Sequence, residues 1–333
     1  MKKWIWLVLV VLVAMGVMGV GVFFPKPETR EVIATTQVQA PQRKLEYKQV
    51  RNIPQVSADK LFRHIQKLNF KRFTSSERSR SRNYITSQLT NFGWKPQLEN
   101  FSEGVNIFAE RQGTDKAAGS ILVAAHYDTV AISPGADDNA SGVAVVLEVA
   151  RLFSRPTPRT LQLALFDKEE EGLLGSKAYV LNNTKIVNLR GAIVMDMVGY
   201  ACYTVGCQKY PAGLPVSPPS DKGDFLAVIG DAEHLPLLNA FQSSNKSNLP
   251  PVLTLPIPLK GLLTPDTLRS DHAPFWYKGV GAVLVTDTAN LRTPYYHQAS
   301  DIPRTIERSF FTGSAQIVVN ATAKLLDTQN PPA

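Results

Sequence analysis

Short apolar runs that end in histidine or carboxylate residues limit what this chain can fold into. SILVAA runs into His126-Tyr127-Asp128, and LQLALF runs into Asp167-Lys168-Glu169-Glu170-Glu171. GAIVM runs into Asp196, and VGAVLVTDT leads to a loop with Tyr295, Tyr296 and His297. Runs this short and this apolar suit strands buried on both faces, as in parallel sheets covered by helices. Segments of helical period lie between them. Leu61, Ile65 and Leu68 recur at helix spacing behind Ser57, and Val143, Val146, Leu147 and Ala150 share one face of a helix over Val143–Phe153. Further helices are expected over Ser76–Asn91, Leu173–Leu181, His234–Ser243 and Phe310–Leu326. Strands are expected over Lys95–Phe101, Val105–Arg111, Ser120–Ala125, Thr160–Phe166, Gly191–Met195, Phe225–Ile229, Val252–Leu255 and Ala282–Thr286. The alternation predicts an α/β fold with a mostly parallel central sheet covered on both faces. Its sites should gather at the carboxyl ends of the strands.

That fold needs a substantial core, which 333 residues with 44% hydrophobic and 19% charged content can supply. The net charge of +8 suits an anionic partner such as a membrane surface or an acidic peptide. The basic residues are scattered, without a stripe interleaved with aromatics or a zinc-finger spacing, which argues against nucleic-acid binding. The two cysteines, Cys202 and Cys207, share the stretch ACYTVGC. They could close a small loop in an oxidising compartment or stay as buried thiols; no other cysteine is present to complete a thiolate metal site.

At the N-terminus, Trp4–Phe24 is apolar and uncharged. As a helix it would span about 30 Å, the thickness of a bilayer core. A cleaved signal peptide is the competing reading, but its apolar region would be shorter and followed by a small-x-small cleavage site. We therefore expect a transmembrane anchor over residues 1–25, a polar, Pro-dotted linker over 26–56 and a globular domain over 57–330. Lys2, Lys3 and the amino terminus outweigh Lys26, Glu28 and Arg30 on the far side, which places the domain outside the cytoplasm. The alternative is secretion after signal cleavage.

In a parallel sheet the polar strand ends would converge on one rim, with PGADDNASG opening a helix beside them. Taken singly, His126 could be an ordinary hydrogen-bonded histidine, the Glu169–Glu171 run a solvated loop and GADDNASG a helix cap. Together they place two histidines and several carboxylates on one rim, where mutual repulsion calls for a counter-ion. Imidazole with carboxylate suits zinc, whereas an all-oxygen set would suit calcium or magnesium. A carboxylate shared between two ions would make a two-metal hydrolytic site.

At these motifs the chain resembles the zinc metallopeptidase family of the bacterial leucyl aminopeptidases, which also includes glutamate carboxypeptidase, glutaminyl cyclases and the transferrin receptor ectodomain. The residues that carry the resemblance are AAHYDTV, PGADDNASG, EEEGLLGS, VMDMVGY, SDHAPF and YYHQASD, in family order from about residue 121 to 301. The resemblance implies a three-layer α/β/α, phosphorylase/hydrolase-like zinc-exopeptidase fold with a mostly parallel mixed sheet. It further implies two Zn2+ ions, one on His126 and Asp196, the other on Glu170 and His297, bridged by Asp138. Counting back from Ser141-Gly142 selects Asp138 over Asp137. Glu169 would be the general base, Asp128 would orient His126, and Tyr296 would stabilise the oxyanion. Asp138-Asn139 would be a cis peptide. Asp271 and His272 match a family motif without an assigned ligand role. Glu171 departs from the family, which often has an apolar residue there. The Cys202–Ser220 segment matches no family pattern and is a candidate wall of the substrate pocket. The expected activity is that of an aminopeptidase acting on peptides. Glutaminyl cyclase chemistry, carboxypeptidase polarity and a non-catalytic receptor are the alternatives.

Overall fold

The computed structural model describes residues 53–211, 220–244 and 248–328. The expected anchor, 1–25, and the linker as far as residue 52 lie outside the described residues. Among the described residues no helix is long and apolar enough to cross a membrane.

The chain enters through two helices. Helix α1, Ala58–Leu68, starts at Ser57, whose hydroxyl accepts from the Lys60 amide, and buries Leu61, Ile65 and Leu68. Helix α2, Ser75–Asn91, has little apolar content and is held at its start by a reciprocal pair: Thr74 accepts from the Glu77 amide, and Glu77 accepts from the Thr74 amide. Gly93 follows its end with φ +78°, the left-handed conformation that a helix stop commonly uses.

Among the described residues the sheet has eight strands: β1 Gln97–Phe101, β2 Gly104–Arg111, β3 Ser120–His126, β4 Thr160–Phe166, β5 Leu189–Met195, β6 Leu226–Asp231, β7 Val252–Ile257 and β8 Ala282–Thr286. Their spatial order is β1-β2-β4-β3-β5-β8-β6-β7. The four central strands, β4, β3, β5 and β8, are mutually parallel, as are β6 and β7, while β1–β2, β2–β4 and β6–β8 are antiparallel. The expected mixed, mostly parallel sheet is therefore present. The remaining helices are α3 Ala140–Leu152, α4 Leu174–Val180, α5 Asn183–Ile186, α6 Leu235–Gln242, α7 Ala273–Tyr277 and α8 Arg308–Leu326.

Alternation along the central strands makes the three layers. Ile121, Val123 and Ala125 of β3 join one core with α1, α2, α3, α6 and α8. Leu122 and Ala124 face the other core, built with Tyr179 of α4 and with Phe275 and Trp276 of α7. With both faces buried, β3 is apolar from Ile121 to Ala125, and the LQLALF run of β4 admits only Gln162, whose amide group is paired with Glu110 and Tyr179, before its carboxyl end.

Most expected elements fall within a few residues of their expected bounds. Strand β7 continues past Leu255 through Pro256, which a sheet edge tolerates because its nitrogen has no proton to pair. Helix α3 starts earlier than its apolar face suggests, because Asn139 caps it by accepting from the Gly142 amide at 3.0 Å. Helix α7 was not foreseen. It is short, and Pro274 sits in its first turn, where a missing N–H costs nothing.

Candidate metal centre

The four parallel strands deliver their carboxyl ends to one rim. His126 is the last residue of β3, Asp196 follows β5, and Glu169 and Glu170 follow β4. Asp138 lies in the loop before α3, across a cis peptide to Asn139. His297 comes from the loop after β8.

The two oxygens of Asp138 face two different imidazoles. His126 Nε2 lies 3.3 Å from Asp138 Oδ1, and His297 Nε2 lies 3.3 Å from Asp138 Oδ2. His126 Nε2 is also 3.6 Å from Asp196 Oδ1, and His297 Nε2 is 3.0 Å from Glu170 Oε2. The expected ligands thus form two groups around one shared carboxylate, with Glu169 beside His126 and Asp196.

These spacings fit zinc. Ligands 2.0–2.1 Å from one tetrahedral ion stand about 3.3–3.4 Å apart. Both His126 ring nitrogens and Glu170 Oε1 are buried with no hydrogen-bond partner among the described residues, an arrangement that costs free energy unless a cation completes it. Without an ion, protons on the ligand side chains themselves take up part of that task. Burial works to lower the His297 pKa, but Asp138 and Glu170 outweigh it and push it up to about 10. Burial also opposes charge on His126, yet the surrounding carboxylates, Glu169 foremost, hold its pKa well above the usual value. Burial pushes Glu170 up to about 7, helped by the charge on Asp138. Burial raises Asp138 as well, but its two histidine partners prevail and hold it below the usual carboxylate range. Glu169 is raised well above its ordinary value by burial, with Asp196 and Asp271 adding to the effect and His126 opposing it.

Asp128 takes a wider part than orienting one ring. Its Oδ1 lies 3.4 Å from His126 Nδ1, a loose contact, while the Glu169 and Glu170 amides donate to its two oxygens at 3.1 and 3.2 Å. One carboxylate thereby holds the backbone of both glutamates. Tyr296 stacks on His297 with ring centroids 3.7 Å apart, and its hydroxyl accepts from Arg269 Nη2 at 3.1 Å. Glu171, the departing acid, turns outward to Lys168 at 3.1 Å, so it does not compete with Glu169 or Glu170. Asp167, at the same strand end, leaves the centre to pair with Arg78 at 2.9 Å. Asp271 is buried and accepts from Ser176 Oγ at 2.5 Å.

Sequence reasoning missed two supporting residues. Asp301 accepts from the amides of Asp137 and Asp138 at 2.9 and 3.0 Å, which fixes the loop that presents the shared carboxylate. Its place in YYHQASD was a usable signal. Arg72, fully buried between α1 and the same loop, had no signal at all, being one of 36 Lys and Arg residues.

A cavity of about 230 Å³ opens beside Asp196 and Tyr296. Phe225, Ile229, Leu253, Leu255 and Leu284 give it an apolar lining. Cys202 and Cys207 form a disulfide, and the residues after it, Gln208 to Pro211, line the cavity. Of the segment that fitted no pattern, residues 208–211 thus form a pocket wall.

A family model with the description Peptidase family M28 matches residues 106–322. Among curated proteins, YfbL of Escherichia coli (strain K12) is 31% identical over 216 residues, covering 60% of this chain and 64% of that protein. Aminopeptidase YwaD of Bacillus subtilis (strain 168) is 44% identical over 82 residues, 24% of this chain and 18% of that protein. The chain spans less than two thirds of the length of these relatives. Among solved structures, the LapA aminopeptidase of Legionella pneumophila superposes with a TM-score of 0.65 at 19% identity, covering 86% of this chain and 78% of that one. At that identity the likeness concerns the fold.

Proposed function

The chain belongs to peptidase family M28, and from that premise we propose that it is a zinc-dependent aminopeptidase with two metal ions. The observation that carries the reading is the Asp138 carboxylate, whose two oxygens each face a histidine at 3.3 Å. Two zinc ions, one held by His126 and Asp196, the other by Glu170 and His297, with Asp138 between them, would polarise the scissile carbonyl and acidify the attacking water.

The chain's own residues supply the rest. Glu169, buried at the rim, takes the proton of the water on its carboxylate and returns it to the leaving amine. Asp128 fixes the Glu169 amide and so sets where that carboxylate stands. Tyr296 keeps its proton, because burial raises its pKa. Its oxygen already accepts from Arg269, so the proton is free to donate to the oxyanion that develops on the substrate. The apolar cavity beside Asp196 receives the side chain of the residue to be removed.

We place this domain outside the cytoplasm, tethered by Trp4–Phe24. The Cys202–Cys207 disulfide supports an oxidising compartment. Removing residues 1–25 should release the protein from membranes; persistent membrane association would contradict the tether.

The deciding experiment incubates the zinc-loaded chain with peptides whose ends are free or blocked and reads the products by mass spectrometry. Stepwise loss from free N-termini is expected. Loss from C-termini would make the protein a carboxypeptidase, and loss of ammonia from N-terminal glutamine would make it a cyclase. No turnover with zinc bound would refute the peptidase reading.

A further inference from the structure

We propose that Arg72 is the positioning residue for the shared carboxylate: its guanidinium fixes the loop backbone from which Asp138 faces both histidines. The proposal rests on the metal reading above and extends it to a residue N-terminal to the segment that the family model matches.

Arg72 sits in the connection between α1 and α2, and no part of it reaches solvent. All six of its side-chain acceptors are backbone carbonyls. Nε donates to Tyr127 at 2.8 Å, one residue past His126. Nη1 is shared among Leu68 at 2.5 Å, Phe70 at 3.1 Å and Pro134 at 2.6 Å. Nη2 donates to Gly135 at 2.8 Å and reaches the Asp138 carbonyl at 3.4 Å. One planar group therefore ties the end of α1 to the backbone beside one ligand histidine and to the loop that carries the bridging aspartate. The main-chain amide of Arg72 adds a fourth tie, donating to Thr129 Oγ1 at 2.9 Å.

Asp301 holds the same loop through its amides, and Arg72 holds it through its carbonyls. Gripped from both polarities, the segment has little freedom to rotate the Asp138 side chain out of register. Gly135 fits this role. Its φ is +61°, and an added Cβ would come within 2.6 Å of Arg72 Nη2 and would also collide with the Asp138 carbonyl oxygen. The bare glycine lets the guanidinium approach. The positive charge also lies where it offsets Asp301, Asp138, Asp128 and Glu170, the carboxylates whose fields act most strongly on it. Lysine cannot replace it, because a point ammonium has three donors and no planar fork to span three segments.

A residue that merely packed α1 against the loop would affect stability and leave metal binding alone. The test therefore reads metal affinity, by competition with a chelator, on the full chain and on Arg72→Met and Arg72→Lys, with circular dichroism and thermal melting of the metal-free proteins alongside. Supports behind metal ligands are typically worth 10–100-fold in affinity, so we expect Arg72→Met to bind zinc about 10–100-fold more weakly and Arg72→Lys to recover only part of that loss. A folded Arg72→Met within about threefold of the parent would overturn the proposal, since no supporting group of this kind is so cheap to lose. Should Arg72→Met fail to fold, Arg72→Lys with parental zinc affinity overturns it equally. If the parent chain itself takes up no zinc, the metal reading fails first and carries this inference down with it.

Discussion

Zinc binding should be steeply dependent on pH, and the structure sets the size of the effect. Metal ligation needs deprotonated groups, so any proton held by the metal-free cluster must leave when the ion enters. His297 is pushed up to about 10 and Glu170 to about 7. Both groups shed their protons as pH rises, so affinity should climb with pH. Between pH 9 and pH 6, His297 alone would account for about three decades and Glu170 for about one more, at about 1.4 kcal/mol per decade. His297 is 32% exposed, and solvent screening trims its share, which leaves a loss of about a thousandfold over that range. The slope should exceed one decade per pH unit, because His126 also holds a proton that must leave, and should steepen further below about pH 7, where Glu170 is protonated too.

Chelator competition across this range, corrected for the chelator's own titration, measures the affinity. Calorimetry in buffers of differing ionisation heat counts the protons released. His297→Gln should remove about one decade per pH unit from the slope. A change of less than tenfold from pH 9 to pH 6, with no proton release at pH 8, would refute the idea that protons stand in for the metal when the protein is stripped of zinc.

Three further outcomes are expected. Glu169→Gln should retain two zinc ions by elemental analysis and lose peptide hydrolysis by about 10²–10⁴-fold, the usual worth of a positioned base; near-parental turnover would move the base elsewhere. Asp138→Ala should leave at most one equivalent of tightly held zinc, and two retained equivalents would show that the bridge lies elsewhere. His64, buried beside the Tyr84 hydroxyl at 2.7 Å, has its pKa lowered to about 4 by burial. Its neutral form is the folded one, so stability is complete above the unfolded value of about 6.5 and falls as pH drops toward 4, by about 2 kcal/mol between pH 7 and pH 5. Urea unfolding of the parent and of His64→Gln at both pH values should show the variant losing less by that amount, and identical losses would exclude His64 as a source.

The sheet was readable because its central strands are buried on both faces and their apolar runs stop only at the functional rim. His126, Asp196, Glu169 and Glu170 were legible for the same reason: the sequence changes character where the strand meets the site. Asp138 was legible only through its motif, since a loop aspartate beside another aspartate carries no periodicity. The partner of that neighbour was hidden altogether. Asp137 lies against Asp287, far away in sequence, and burial raises the pKa of both. Arg72 was invisible because its acceptors are carbonyls, and carbonyls look alike in every sequence. The cavity was equally hidden, since β6, β7, β8 and the loop after the disulfide each contribute to it.

What the sequence could not show is how little of the centre's geometry is set by side-chain packing. Lys168, Met197 and His297 all adopt positive φ, between 54° and 57°, at or beside ligand positions. A residue with a Cβ pays about 1–3 kcal/mol for such a conformation and keeps it only where its surroundings leave no alternative. Those surroundings are polar. Asp128 holds the two amides after Lys168. Met197 is pinned at both ends, its amide donating to Asn139 Oδ1 and its carbonyl accepting from the Asp287 amide. Asn139 is also the cap of α3, and its side-chain amide donates to the Met195 carbonyl on the strand that leads to Asp196. The proposed ligands Asp138, Glu170 and Asp196 thus stand on or beside main chain that buried Asp, Asn and Arg side chains hold in place. Apolar substitutions in the two cores should therefore lower stability before they alter zinc affinity, whereas changes at Asp128, Asn139, Asp301 or Arg72 should weaken zinc binding as well as stability.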